Sequence, residues 1–381
     1  MAIGTGADAA VRGIVASGDV RSHLMVGSVI VNHPATRPGR SRRARMAPAV
    51  GLMLAVMACA PASTTPTVAA NTARPTSTSV PTSSLPPATT EQLTTTLTGR
   101  LVFDHEFDIW TMNADGTDRV RLTDHPAEDF DAVWSPDGTM IAFRSHRDGN
   151  EEIYVMASDG SGQRNVTMHP ASDYSPAWSP DGTRIAFASD RDSDSGGNEI
   201  YTVMVDGSEP TRLTFGGGID EYPTWSPDGK QVAYACTGGR RLSDGGGDFE
   251  ICVMNSDGSN QRQLTNAPGI SEYPAWSPDG SSIAFMTTRD GWPTLPDYVP
   301  LGYDPGEFGE HEIYVMDANG ENPHNITRNG RESEEFPAWS PDGTHLIFTR
   351  YGCLVVSSRD GSASIQITDT SCADGFPEWH D

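Results

Sequence analysis

Three observations predict an all-β fold, a six-bladed β-propeller with four antiparallel strands per blade. A Trp-Ser-Pro-Asp-Gly segment recurs at Trp134, Trp178, Trp225, Trp276 and Trp339. Short β-rich runs follow each copy in the same order. The two ends of the repeat region hold complementary fragments of one further unit. Self-similarity of this kind identifies repeat architectures, and each blade needs its neighbours to bury its faces.

The chain has 381 residues and a formal net charge of −25. Residues 1–58 hold seven Arg and two acids, so the rest carries −30. Such a surface repels nucleic acid. Arg37, Arg40, Arg42, Arg43 and Arg45 precede an apolar run from Met46 to Ala58, which ends at Cys59. A basic stretch before a short apolar one reads as an export signal, and the run falls short of the roughly 20 apolar residues that span a bilayer. It resembles a bacterial lipoprotein signal. That resemblance implies lipidation of Cys59 and a membrane anchor; an ordinary cleaved signal is the alternative.

Residues 59–98 form the second region. From Ala60 to Thr98, 30 of 39 residues are Ala, Ser, Thr or Pro, too little apolar surface to offset the entropy of ordering. The expectation is a disordered tether, reaching on the order of 120 Å at ~3.1 Å per residue if extended.

Residues 99–381 carry the repeat. In each copy a strand runs through Trp into a tight turn where Pro presets φ, Asp bonds local backbone and Gly accepts positive φ. A second strand follows, as in Ile141-Ala142-Phe143, and a third, as in Glu152-Ile153-Tyr154-Val155-Met156. An Asp-Gly or Asn-Gly turn then leads to a last strand that closes on Leu122-Thr123, Val166-Thr167, Leu213-Thr214 or a counterpart. Arg100 to Phe103 begins as a second strand, and Phe376 to Trp379 supplies only a first strand. Joined, the two complete a sixth blade and close the ring, which removes exposed sheet edges.

The whole pattern, Pro-x-Trp-Ser-Pro-Asp-Gly, Ile-Ala-Phe, Glu-Ile-Tyr-Val-Met, Asp-Gly and Leu-Thr, resembles the TolB-like propeller repeat over residues 100–381. The resemblance implies a monomeric propeller in the periplasm or at the cell surface that contacts a protein partner. TolB-like proteins carry an N-terminal α/β domain where this chain has a signal and a tether, which argues against carrying over a Tol-Pal role.

Loops entering first strands and loops joining second to third strands open on one face, the expected functional face. An acid stands five residues before Trp at Asp129, Asp173, Asp220, Glu334 and Asp374, with Ser271 breaking the series. Arg147, Arg191 and Arg289 leave second strands on the same face. Two readings are open: ion pairing inside each blade, or a channel mouth that binds a cation or basic peptide. The segment from Arg289 to His311 is the longest second-to-third-strand loop and carries Trp292, Tyr298, Tyr303 and Phe308, either contact anchors or rings packed on their own blade.

Asp190, Asp192 and Asp194, with Glu199 beyond, have the alternate spacing of a calcium loop, but Gly196 falls one place late for its turn. No cofactor is expected. His105, His146 and His311 lack the short spacing of a metal pair. No Gly-x-Ser-x-Gly nucleophile motif and no glycine-rich phosphate loop occurs, and no hydrolase domain is expected after the propeller. The leading function is therefore a protein-binding or scaffold module; the alternative is a hydrolase or lyase, metal-assisted or not, working on a peptide or carbohydrate at the channel mouth. Apart from Cys59, Cys236, Cys252, Cys353 and Cys372 are even in number, as disulfides in an exported chain would be. Cys236 with Cys252 and Cys353 with Cys372 are the favoured pairs, free thiols the alternative.

Overall fold

The computed structural model describes residues 97–192, 197–238, 248–290, 311–328, 332–369 and 372–381. The regular elements of these residues are strands, arranged as six four-stranded antiparallel sheets. The innermost strands are Asp129–Trp134, Asp173–Trp178, Asp220–Trp225, Ser271–Trp276, Glu334–Trp339 and Asp374–His380. Each touches the next around a closed ring.

Closure follows the sequence pattern. Asp374–His380 pairs antiparallel with Arg100–His105, placing Leu101 opposite Trp379 and Arg100 opposite His380. The chain's last strand thus becomes the innermost strand of the blade that Arg100–His105, Asp108–Asn113 and Val120–Arg121 complete.

Each Ser-Pro-Asp-Gly turn is held by its own side chains. Ser135 Oγ donates to Asp137 Oδ1 at 2.7 Å, Thr139 N donates to the same oxygen at 3.1 Å, and Met140 N donates to Ser135 Oγ at 2.9 Å. The Ser135 and Thr139 donors pull the exposed Asp137 carboxyl down to about 2, while Gly138 takes φ 66°. Leu-Thr at the end of each outer strand has a second role. Thr214 Oγ1 accepts from Ile200 N at 2.9 Å and donates to Glu199 at 2.7 Å, which ties the outermost strand to the start of the third.

The core lies between blades. Phe103, Phe143, Phe187, Phe285 and Phe348, one from each of five second strands, are fully buried, each contributing about 1.5–3 kcal/mol. Val155 and Val166 of one blade pack against Trp178, Ile185 and Phe187 of the next. The Asp-Gly turn makes close inter-blade contact: a Cβ on Gly160, at φ 85°, would sit 2.7 Å from the Leu122 carbonyl oxygen of the preceding blade.

Candidate functional site

The acids that open the innermost strands lie inside the blades. Asp129 is fully buried, and Arg147 Nη2 donates to its two oxygens at 3.0 and 2.9 Å. The guanidinium lies over the Tyr154 ring, 4.6 Å from its centroid. Asp173 and Arg191 repeat the arrangement at 2.9 and 2.8 Å. Glu334 takes Arg350 Nε at 2.9 Å. Asp374 takes Arg119 at 2.7 Å and His105 at 2.8 Å.

Two blades break the pairing. Asp220 has Gly238 where Asp129 and Asp173 have arginine, and burial with the nearby Glu199 and Glu221 charges lifts its carboxyl to about 7. Arg289 faces Ser271 instead of an acid, with Oγ at 3.5 Å, and burial lowers its pKa.

Asp190 accepts from Ser172 N at 2.9 Å, Asp192 from the Tyr201 hydroxyl, and Glu199 pairs with Arg212 at 2.8 Å. His146 faces Glu151 at 3.3 Å and His311 faces Glu335 at 3.0 Å. Among the described residues no three His, Cys, Asp or Glu side chains converge as metal ligands. Cys236 is bonded to Cys252 and Cys353 to Cys372, with Cα atoms 5.9 and 4.7 Å apart. Asp194, Trp292, Tyr298, Tyr303, Phe308, Cys59, the export signal and most of the tether lie outside the described residues.

At the opposite end of the ring, where the innermost strands run into the Ser-Pro-Asp-Gly turns, the channel widens into a cavity of about 480 Å³. Its wall carries Trp134, Trp178, Trp225, Trp276 and Trp379, with prolines from the same strands and turns. Its floor comes from a repeated irregularity. Every innermost strand has a register shift after its second or third residue, and the third residue has positive φ although it is never glycine: Asp131, Ser175, Tyr222, Tyr273, Phe336 and Phe376 at 44–58°. A bulge re-aims a side chain, and here it turns the third residue toward the axis. Tyr222 and Tyr273 stack at 3.8 Å between centroids, Phe336 and Phe376 at 3.9 Å, and Tyr273 meets Phe336 edge-on at 4.7 Å. Four of six blades thus plug the axis with aromatic rings.

The other two blades place Asp131 and Ser175 at this position. Asp131 holds Arg144 Nε at 2.8 Å through Oδ2, while its Oδ1 is buried without a partner. Beside it, burial and the Asp131 charge push Asp104 well up. In the wall, Glu378 stands where the other blades have Val133, Ala177, Thr224, Ala275 and Ala338. It accepts from Trp134 N across the blade junction, and burial lifts its carboxyl to about 8 against that bond. Sequence reasoning missed both positions. The available signal was variation, since the third and fifth residues of the innermost strands change character while Trp and the opening acid recur.

Comparison with known proteins agrees with the geometry. The family described as the Tricorn protease N-terminal beta propeller domain matches residues 94–198. The Tol-Pal system protein TolB of Anaeromyxobacter dehalogenans is 36% identical over 140 residues, 35% of this chain and 27% of that protein. A TolB homolog of Chlorobium luteolum is 30% identical over 152 residues, 34% of this chain and 33% of that one. The propeller is TolB-like. Each alignment spans about a third or less of the curated relative. Among solved structures, TolB from Acinetobacter baumannii superposes with TM-score 0.58 at 21% identity, over 74% of this chain and 66% of that one. The tricorn protease gives TM-score 0.55 at 17% identity, over 71% of this chain and 25% of the protease. At these identities the superpositions speak to fold alone.

Proposed function

We propose that this TolB-like propeller is an exported, lipid-anchored module of the bacterial cell envelope that binds a protein partner through the apolar funnel. The funnel carries the reading: a cavity of about 480 Å³ with five tryptophans in its wall and aromatic rings from four blades in its floor offers room for a chain segment. Exposed aromatic pockets are where interface hot spots form. Curated relatives named for the Tol-Pal system support a role in a protein assembly. Export and the anchor at Cys59 rest on the signal-like run from Met46 to Ala58. The sequence favours the loop-bearing face; the funnel moves the proposed contact to the opposite end, because the opening acids at the loop end are buried in their blades.

The test is affinity capture from envelope extracts of the native host, with the full chain as bait. Wild type should capture a specific protein. Trp225→Ala with Trp276→Ala should weaken capture at least 30-fold, the equivalent of about 2 kcal/mol, while replacing 291–310 with a short turn should leave it unchanged. Capture that survives the double substitution and fails in the loop variant would return the contact to the loop-bearing face.

A further inference from the structure

The carboxylates among the residues lining the funnel come from one side. Glu378 comes from the closing blade and Asp131 from the blade beside it, and Glu378 is bonded to Trp134 N of the strand that carries Asp131. The two acids therefore share one side. Each is incompletely used: Asp131 Oδ1 is buried without a partner, and the half-buried Glu378 side chain has Trp134 N as its one hydrogen-bond partner among the described residues. Facing them are indole and phenol rings. A carboxylate wall inside an aromatic enclosure suits a cation that also has apolar surface, because ring faces attract positive charge and a stripped metal ion would need oxygen ligands that this wall lacks.

We infer that the funnel takes an organic cation, the guanidinium or ammonium group of a basic side chain, seated against Glu378 on the side that also carries Asp131, and enclosed by Trp134, Trp225 and Tyr222. The inference rests on the funnel being the binding surface, and it names what the partner segment presents there.

Proton linkage supplies a second signature. Glu378 holds its proton up to about pH 8, and a bound cation favours the carboxylate, so binding releases a proton and tightens as pH rises toward 8. The other ionisable groups on this side are Asp131 with its partner Arg144, the adjacent Asp104, and His380, whose ring lies 5.8 Å from Trp134.

The test uses the full chain and a matched pair of probes, n-butylguanidinium and its neutral isostere n-butylurea, followed by the indole N–H resonances of the tryptophans. Butylguanidinium should shift funnel resonances and bind at least 10-fold more tightly than butylurea, with affinity rising about 10-fold from pH 6.5 to 8.5. Glu378→Gln should remove both the preference and the pH dependence while keeping the spectrum of a folded propeller. n-Butylammonium and a lysine- or arginine-containing peptide, compared with the guanidinium, tell a free amine from a partner side chain. Equal binding of the urea, an unchanged Glu378→Gln variant, or calcium chloride taking the site in place of the organic cation overturns the inference. If the cation binds and no protein is captured, the partner reading fails instead.

Discussion

Replacing Glu378 with Gln should make the propeller more stable at alkaline pH and leave it unchanged in acid. The carboxyl sits at about 8 in the folded chain against an ordinary value near 4.5. A carboxyl whose pKa is raised by folding supports the fold below its unfolded pKa, and that support is lost as pH climbs through the folded value. The full displacement corresponds to about 5 kcal/mol above pH 8, from roughly 1.4 kcal/mol per unit. Water penetrating the funnel hydrates the carboxylate, so the expected gain for Glu378→Gln is about 1–2 kcal/mol at pH 8.5, or roughly 2–3 °C in Tm. Gln preserves size and still accepts from Trp134 N, so the comparison isolates the charge. The assay is urea unfolding of both proteins at pH 4.5 and pH 8.5. An equal difference at the two pH values, or none at pH 8.5, refutes the reasoning.

Two further perturbations test the frame that holds the funnel. Asp129→Ala should cost about 3–5 kcal/mol, because Arg147 keeps its buried position without a counter-charge; denaturant unfolding showing a loss below 1 kcal/mol would contradict this. Cys236→Ser with Cys252→Ser, which opens a crosslink of sequence separation 16, should cost about 3 kcal/mol, and dithiothreitol should cost wild type more than that, because it also opens Cys353–Cys372, while in the variant only this second crosslink is left for it to open.

The blade was legible because its local chemistry is autonomous. Ser135, Asp137 and Gly138 make a turn from their own atoms, and Thr214 finds Glu199 inside one repeat, so each copy announces its strands without its neighbours. Closure was legible for a related reason: Arg100–His105 and Asp374–His380 are fragments that fit only each other. The pairs Asp129–Arg147 and Asp173–Arg191 follow from equivalent positions. Glu334 and Asp374 do not: Arg350 lies two residues before the equivalent position, which Gly352 takes, and Arg119 comes from the turn before the outermost strand, with Phe107 at the equivalent position.

The funnel was hidden for a physical reason. Its floor depends on a bulge that puts Tyr222, Tyr273, Phe336 and Phe376 at positive φ, and no glycine marks that conformation. Its chemistry depends on comparing the third and fifth positions across six blades, where Asp131 and Glu378 depart from the apolar or aromatic residues that fill most of the others. Insertions drew attention to the loop-bearing face, whereas the cavity is built from strand residues that look like packing when each repeat is read alone.

The most direct test of partner binding through the funnel is site-specific photocrosslinking in the native host. A photoreactive residue would replace Ala177 or Ala338 in the funnel wall, and, in separate strains, Gly149 or Asp190 at the loop-bearing end. The account predicts that both funnel positions crosslink to the same protein, that Trp225→Ala abolishes the adduct, and that the loop-end positions give none. An adduct from the loop end, with the funnel positions silent in a folded chain, would contradict it.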